Sequence, residues 1–468
     1  MKGCAFVCFL FLLFSFFTKS AFAIVNPQES PNNKFGIHVV DENDLSDASN
    51  LVNSSGGEWG YITILIKEDD RDLNKWQNTF DRMRELKLIP LIRLATRPQG
   101  QNWEKPTISD AYEWADFLNN LNWVVENRYV IIFNEPNHAK EWGGEINPRE
   151  YTEILKVFSR ELKTRSPDFY ILPAGLDAAA PDSKETLSIT HFLDQMYIQD
   201  PHIFEYIDGW NSHSYPNPGF SASPQKKGKG SIASFDWETN YIKKLGAKSD
   251  LVVFITETGW VHNAGKSKVL GISTETVGNF YKQAYKNVWS DKRVIAVTPF
   301  VLNYQDFPFD NFSWRQLNST NFHPHYKVVQ DIQKTKGQPR QVKSAIILDS
   351  NIPKKVFSGF DLNSGFTIQN TGQTTWNPED GYRIIVSEDS QKYVTLKSEF
   401  ETVMPFEKVF VEIIIRPFYQ SKSIPLKIKL LYKNEEFFET TQEIEVLDLF
   451  AFNSMSTRQF SWNLVENF

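Results

Sequence analysis

Thiols are almost absent from this chain of 468 residues, which has two cysteines. Both, Cys4 and Cys8, fall inside a segment expected to be removed. The mature chain would then have no disulfide and no Cys-ligated zinc, and its core must hold it together. A phosphate-cradling Walker loop is missing as well. "GKGSIA" from Gly228 echoes a dinucleotide fingerprint, but it follows a run of Pro and Lys instead of a strand. There is no basic stripe: losing Lys2 and Lys19 with the leader takes the formal net charge from −7 to about −9. Such an acidic surface argues against nucleic acid. His323 and His325 flank a proline with no acidic or histidine partner nearby in sequence, and they read as surface residues. No metal and no cofactor is expected. Beyond the N-terminus, no apolar run is long enough for a transmembrane segment.

What is present begins with "MKGCAFVCFLFLLFSFFTKSAFA", residues 1–23. Lys2 supplies a charged start, the apolar run extends from Cys4 to Phe17, and Ala21-Phe22-Ala23 supplies a small-x-small cleavage site. This is the pattern of a signal peptide, so the protein is expected to be secreted, extracellular or periplasmic. The apolar run is shorter than the roughly 18 residues an uncleaved anchor needs. Aromatic residues make up 14% of the chain. Core filling accounts for most of them, but sugars bind by laying C–H faces on such rings, which points toward carbohydrate.

Over residues 30–336 eight short apolar runs alternate with amphipathic stretches: "FGIHVV", "WGYITILI", "LIPLIRLA", "YVIIFNE", "YILPAGLD", "IDGWNSHSY", "LVVFITE" and "VIAVTPFVL". Near-continuous apolar strands separated by helices predict a parallel sheet covered on its outer face. Eight such units predict a (β/α)8 TIM barrel, with an open doubly wound sheet as the rival. After "TKGQPRQVKS" the helical period vanishes. Residues 345–450 show short alternating strands broken by turn residues, the pattern of an all-β sandwich. Residues 451–468 form a tail that fits neither domain.

Active sites of such barrels lie at the C-terminal strand ends. The fourth run closes on Asn134-Glu135-Pro136 and the seventh on Glu257. The sixth carries His213 and Tyr215, two apart and so on one face. A lone glutamate at a strand end is usually a solvated loop residue or a salt-bridge partner. Two of them, closing runs four and seven, would converge on one cleft. Paired carboxylates are what glycosidic cleavage requires, one as acid and one as nucleophile. Strict alternation would send Asn134 and Glu135 to opposite faces, so a bend is expected at Pro136. Arg93, inside "LIRLA", demands an anionic partner, either a catalytic carboxylate or a structural one. Trp260 reads equally as a subsite wall or a loop-packing residue. The stretch 216–234, rich in Gly, Ser, Pro and Lys, reads as a lid or as a plain surface loop.

"NEP" after the fourth run and "TETGW" at the seventh resemble the retaining glycoside hydrolases of clan A over the whole barrel, about two thirds of the chain. The resemblance implies Glu135 as acid/base, Glu257 as nucleophile, Asn134 on the sugar 2-hydroxyl and Tyr215 orienting the nucleophile, with His213 in the lining. That clan often has a tryptophan after the eighth strand. "TPFVLNYQDF" has none, leaving Phe300, Tyr304 or Trp314 to substitute. "FTIQNTGQTTWNPEDGYRI" resembles the immunoglobulin-like accessory domain of the four-tryptophan type, with only Trp376 retained. The expected activity is hydrolysis of a β-linked oligo- or polysaccharide. The rivals are a non-catalytic carbohydrate-binding protein on this scaffold and a surface protein that makes cell-surface or glycan contact through the sandwich.

Overall fold

The computed structural model describes residues 24–266, 271–397, 400–417 and 423–447. The expected signal peptide, with Cys4 and Cys8, and the tail at 451–468 lie outside the described residues. Among the described residues, no helix is long and apolar enough to cross a membrane.

The first lobe alternates strand and helix eight times. Its strands are β1 (Gly36–Val39), β2 (Gly60–Lys67), β3 (Leu88–Ala95), β4 (Arg128–Ile132), β5 (Phe169–Pro173), β6 (Trp210–His213), β7 (Val253–Glu257) and β8 (Val294–Val297). The helices following them are α1 (Leu45–Val52), α2 (Leu73–Glu85), α3 (Asp110–Asn119), α4 (Pro148–Arg165), α5 (Ile189–Gln199), α6 (Ser234–Lys244), α7 (Thr274–Asn287) and α8 (Pro324–Gln330). Strands β1 to β5 form one sheet in sequence order and β6 to β8 a second. All pairings are parallel. Isolated parallel bridges, Phe35–Val297 and Asp177–His213, link the two sheets at both seams.

Local chemistry explains the helices. Asn147 accepts the Glu150 N–H at 3.1 Å and Pro148 opens α4, where a missing N–H costs nothing. Tyr151, Ile154, Leu155, Phe158 and Leu162 then bury one stripe at helical spacing. The strands carry apolar residues on both sides because helices cover one side and an interior core fills the other. That interior changes character along its length. Tyr61, Tyr129, Tyr170 and Phe254 meet in an aromatic layer, with centroids 5.0–6.4 Å apart. One step along, Thr63 and Thr298 share a hydrogen bond of 2.7 Å. At the C-terminal strand ends the charged groups gather.

The second lobe holds β9 (Ala345–Ser350), β10 (Lys355–Phe357), β11 (Leu362–Asn370), β12 (Tyr382–Val386), a short helix α9 (Glu388–Gln391), β13 (Val394–Leu396), β14 (Lys408–Ile415), β15 (Ser423–Tyr432) and β16 (Glu435–Leu447). They form two four-stranded sheets, β9-β11-β14-β13 and β10-β16-β15-β12. Trp376, Ile368, Ile413, Ile428 and Ile444, all 0% exposed, share the core between them. Gln373 Nε2 donates to the Val125 carbonyl at 2.9 Å, and Asn122 Nδ2 donates to that of Gly372 at 2.9 Å. These contacts precede β4, so the β lobe docks on the end of the first lobe away from the strand C-termini.

Candidate active site

A cleft of about 520 Å³ opens at the C-terminal strand ends. Glu257, the last residue of β7, lies at its floor and is 8% exposed. Strict alternation from Phe254, whose ring meets Tyr61 in the interior, would turn Glu257 toward the helices. The register between β6 and β7 slips between Ser212 and His213, so that His213 pairs with Glu257. Such a bulge re-aims a side chain.

Arg93 Nη1, from β3, contacts Glu257 Oε1 and also donates to Asn134 Oδ1 at 2.9 Å. The Tyr215 hydroxyl donates to Glu257 Oε2 at 3.0 Å. Burial opposes the charged form of Glu257, but the charges of His213 and Arg93 and the tyrosine hydrogen bond outweigh it and hold the carboxyl below the usual range. Glu257 is therefore an ionised carboxylate with both oxygens engaged.

Glu135 arrives differently. Strand β4 stops at Ile132, and the chain then bends through left-handed conformations at Phe133 (φ +66°) and Glu135 (φ +30°). A bend is expected at Pro136, but the strand ends sooner and the turn begins at Phe133, so Asn134 and Glu135 both lie beyond the ladder. Non-glycine residues in that region are strained and need fixing from outside. The Glu135 N–H donates to the Gly175 carbonyl at 3.2 Å, and the His138 N–H donates to the Glu135 carbonyl at 2.8 Å. His213 Nδ1 then lies 2.8 Å from Glu135 Oε1 and 3.7 Å from Glu257 Oε2. Burial opposes a charge on His213, but Glu257 and the hydrogen bond to Glu135 outweigh it and raise its pKa. Gly175 makes room for this ring, because a Cβ there would stand 2.1 Å from His213 Cδ2. One oxygen of each glutamate and a ring nitrogen of His213 lie within 4.8 Å of one another. Three such donors could hold a metal ion. Here His213 and Glu135 share a proton contact, and the Arg93 cation already occupies Glu257, so a divalent ion would displace the first and be repelled by the second.

Several polar residues in the cleft carried no signal in the sequence. Asn134 Nδ2 donates to Glu141 Oε2 at 3.2 Å, completing a chain from Glu257 through Arg93. Burial, and then the Glu135 charge, raise the pKa of Glu141. His138 Nε2 lies 3.0 Å from Asp177 Oδ2. On the other side Phe220, Phe300, Phe309 and Phe312 form a wall of edge-to-face rings.

The sequence candidates divide accordingly. Glu135, Glu257, Asn134, Tyr215 and Arg93 line the cleft, and His213 lies buried against both glutamates. Trp260 does not line it: the ring is 1% exposed and packs on Phe280, Tyr281 and Trp289. Its indole N–H donates to the Ala222 carbonyl at 2.8 Å and so anchors the loop that delivers Phe220. The expectation of a subsite wall is corrected to that of a loop anchor. Trp314 is likewise buried, against Tyr281 and His325, whereas Phe300 and Tyr304 reach the cleft. His323 and His325 are 8% and 1% exposed and pack on His262, so they are core residues and not surface ones. The loop at 216–234 is pinned through Phe220 and Ala222.

No family model matches this chain, and no curated protein sequence matches it. Solved structures do. A family 39 glycoside hydrolase from Bacteroides cellulosilyticus WH2 is 18% identical, with a TM-score of 0.44, over 84% of this chain and 82% of its own. A glucosidase from Croceicoccus marinus is 10% identical, with a TM-score of 0.45, over 90% and 95%. A modular endo-β-1,4-mannanase from Cellulomonas fimi is 9% identical, with a TM-score of 0.40, over 90% and 95%. These are loose likenesses of backbone course, so residue roles stand on this chain's own geometry.

Proposed function

We propose that the protein is a secreted retaining β-glycoside hydrolase. Its first lobe would be a closed (β/α)8 barrel of the clan A kind, and the β lobe an immunoglobulin-like accessory domain. The observation that carries this reading is the pair of unequal glutamates: Glu257 held ionised by Arg93 and Tyr215, and Glu135 held on His213, with carboxylate oxygens within 4.8 Å. Retaining enzymes place their two carboxyl groups about 5–5.5 Å apart, whereas inverting ones need about 6.5–9.5 Å to admit water between them.

In the first step a Glu257 oxygen bonds to the anomeric carbon while the glycosidic C–O bond breaks, and Glu135 gives its proton to the leaving oxygen. In the second, water attacks the same carbon, Glu135 takes the water proton and the Glu257 ester bond breaks. Asn134 would bind the sugar 2-hydroxyl, a role supported by its second amide N–H, since the first serves Glu141 at 3.2 Å. The substrate class is a β-linked oligo- or polysaccharide.

A panel of p-nitrophenyl β-glycosides tests the activity, and NMR of the first-formed anomer tests the stereochemistry. Retained configuration is expected. Predominantly inverted product would remove the nucleophile role from Glu257. Glycan binding without turnover would favour a binding protein instead.

A further inference from the structure

We propose that His38, which carries no signal in the apolar run around it, is a substrate-recognising residue whose ring N–H binds a hydroxyl of the sugar seated over Glu257. This rests on the hydrolase reading and extends it to specificity.

His38 lies in β1, on the same face as Gly36 and Val40, and it lines the cleft beside Val40, Arg93 and Phe300. It is 1% exposed, yet among the described residues neither ring nitrogen has a hydrogen-bond partner. Its Nε2 lies 4.0 Å from Glu257 Oε1, too far for a hydrogen bond. The backbone cannot easily yield, because the His38 N–H donates to the Pro299 carbonyl at 2.9 Å and its carbonyl accepts the Leu302 N–H at 3.0 Å. The Phe300 ring stands 5.0 Å away at 67°, closing one side. Burial and the Arg93 charge push the imidazole down to about 3, so it is neutral at any working pH.

A neutral imidazole offers one donor and one acceptor. Buried polar atoms in native proteins are rarely left unpaired, and an exception beside a cleft is explained by a ligand that supplies the partner. A sugar hydroxyl both donates and accepts, and Nε2, 4.0 Å from Glu257 Oε1 in a residue that lines the cleft, is the nitrogen it would meet. Arg93 already contacts Glu257 Oε1 and ties it to Asn134, which makes no hydrogen bond with His38 among the described residues. The hydroxyl bound by His38 is therefore a different one from that reached by Asn134.

The competing role is a purely electrostatic one, in which His38 only tunes Glu257. The two separate in a substrate-by-mutant comparison. The best substrate among p-nitrophenyl β-D-glucoside, galactoside, mannoside and xyloside is chosen first, and its monodeoxy and deoxyfluoro analogues are then assayed. On the parent, His38→Ala should lower kcat/KM about 10²–10⁴-fold, as when a polar site loses its hydroxyl partner. On one analogue, which lacks the bound hydroxyl, the same change should cost less than about threefold on the same reasoning. His38→Asn keeps an N–H donor, guards against a folding failure of the alanine variant, and should recover part of the loss. The acidic limb of the pH–rate curve should stay in place. Equal loss on every analogue, or a loss that travels with a displaced acidic limb, would overturn the assignment. A wild type that turns over none of the glycosides would remove the hydrolase reading, and this one with it. A wild type that turns over a glycoside while both variants match it would sink this proposal alone.

Discussion

The two lobes bury polar groups of different kinds. In the α/β lobe His38, His213, Glu238, Glu257 and the packed His262, His323 and His325 are all buried. In the β lobe the buried polar residues among those described are Ser358, Ser364, Asn370, Gln373, Thr374 and Ser390, every one neutral. Its charges pair on the outside, as Lys427–Glu439 and Lys429–Glu436. The much smaller core of the β lobe is thus closed, among the described residues, without a buried carboxylate, histidine, lysine or arginine. Desolvating a charge is expensive unless partners surround it. Retaining so many in one lobe, and converging three at one cleft, is the pattern expected of a reaction site and agrees with the proposed function.

That contrast can be broken most forcefully at Glu257. Glu257→Gln removes a cleft carboxylate while keeping its shape, and turnover should fall on the order of 10⁴-fold or more with melting little changed. Steady-state kinetics beside a thermal melt decides this, and activity and stability lost together would mean a structural charge.

Gly175→Ala should follow. The new Cβ would push His213 and with it Glu135. Misplacement on the order of 1 Å costs about 10²-fold in rate, and overpacking costs about 1–3 kcal/mol. A fall in kcat that exceeds the stability loss is expected. Unaltered kinetics would show that the ring can move away freely.

Glu238 sharpens the comparison through pH. Its carboxyl is buried on α6, accepts the Trp210 indole N–H at 2.7 Å, and is pushed up to about 7 mainly by burial. A raised folded pKa means the folded state binds the extra proton. Its stabilising contribution is full below the unfolded value near 4.5 and is lost as pH rises through about 7. Glu238→Gln mimics the neutral acid. It should match wild type near pH 4.5 and gain with pH, up to roughly 3 kcal/mol above pH 8. Melts across that range would show the widening gap, and a constant difference would contradict the assignment.

The smallest effect belongs to the β lobe. Lys429→Ala removes surface pairs with Glu436 and Glu439, and such pairs contribute little. Melting temperature and turnover should both stay within experimental scatter.

Legibility followed the range of the interactions. Alternating strand and helix, and the glutamates that close runs four and seven, are local patterns, so the chain displayed them directly. His38 lay inside "FGIHVV", a run read as apolar, and its isolation shows only when Arg93 and Phe300 arrive from distant segments. The His138–Asp177 pair spans 39 positions, which no local window connects. Gly175 looked like any turn glycine until His213 was seen against it. Trp260 stood three residues after Glu257 and invited a substrate role, but its large apolar ring found core to bury in. His323 and His325 misled in the opposite way, because their partner His262 comes from another loop.

The docking of the β lobe beside Val125, before β4, leaves the opposite end of the molecule open. A surface or bead bound to that lobe would therefore leave the mouth of the cleft unobstructed, as a tool gripped by its handle keeps its edge free.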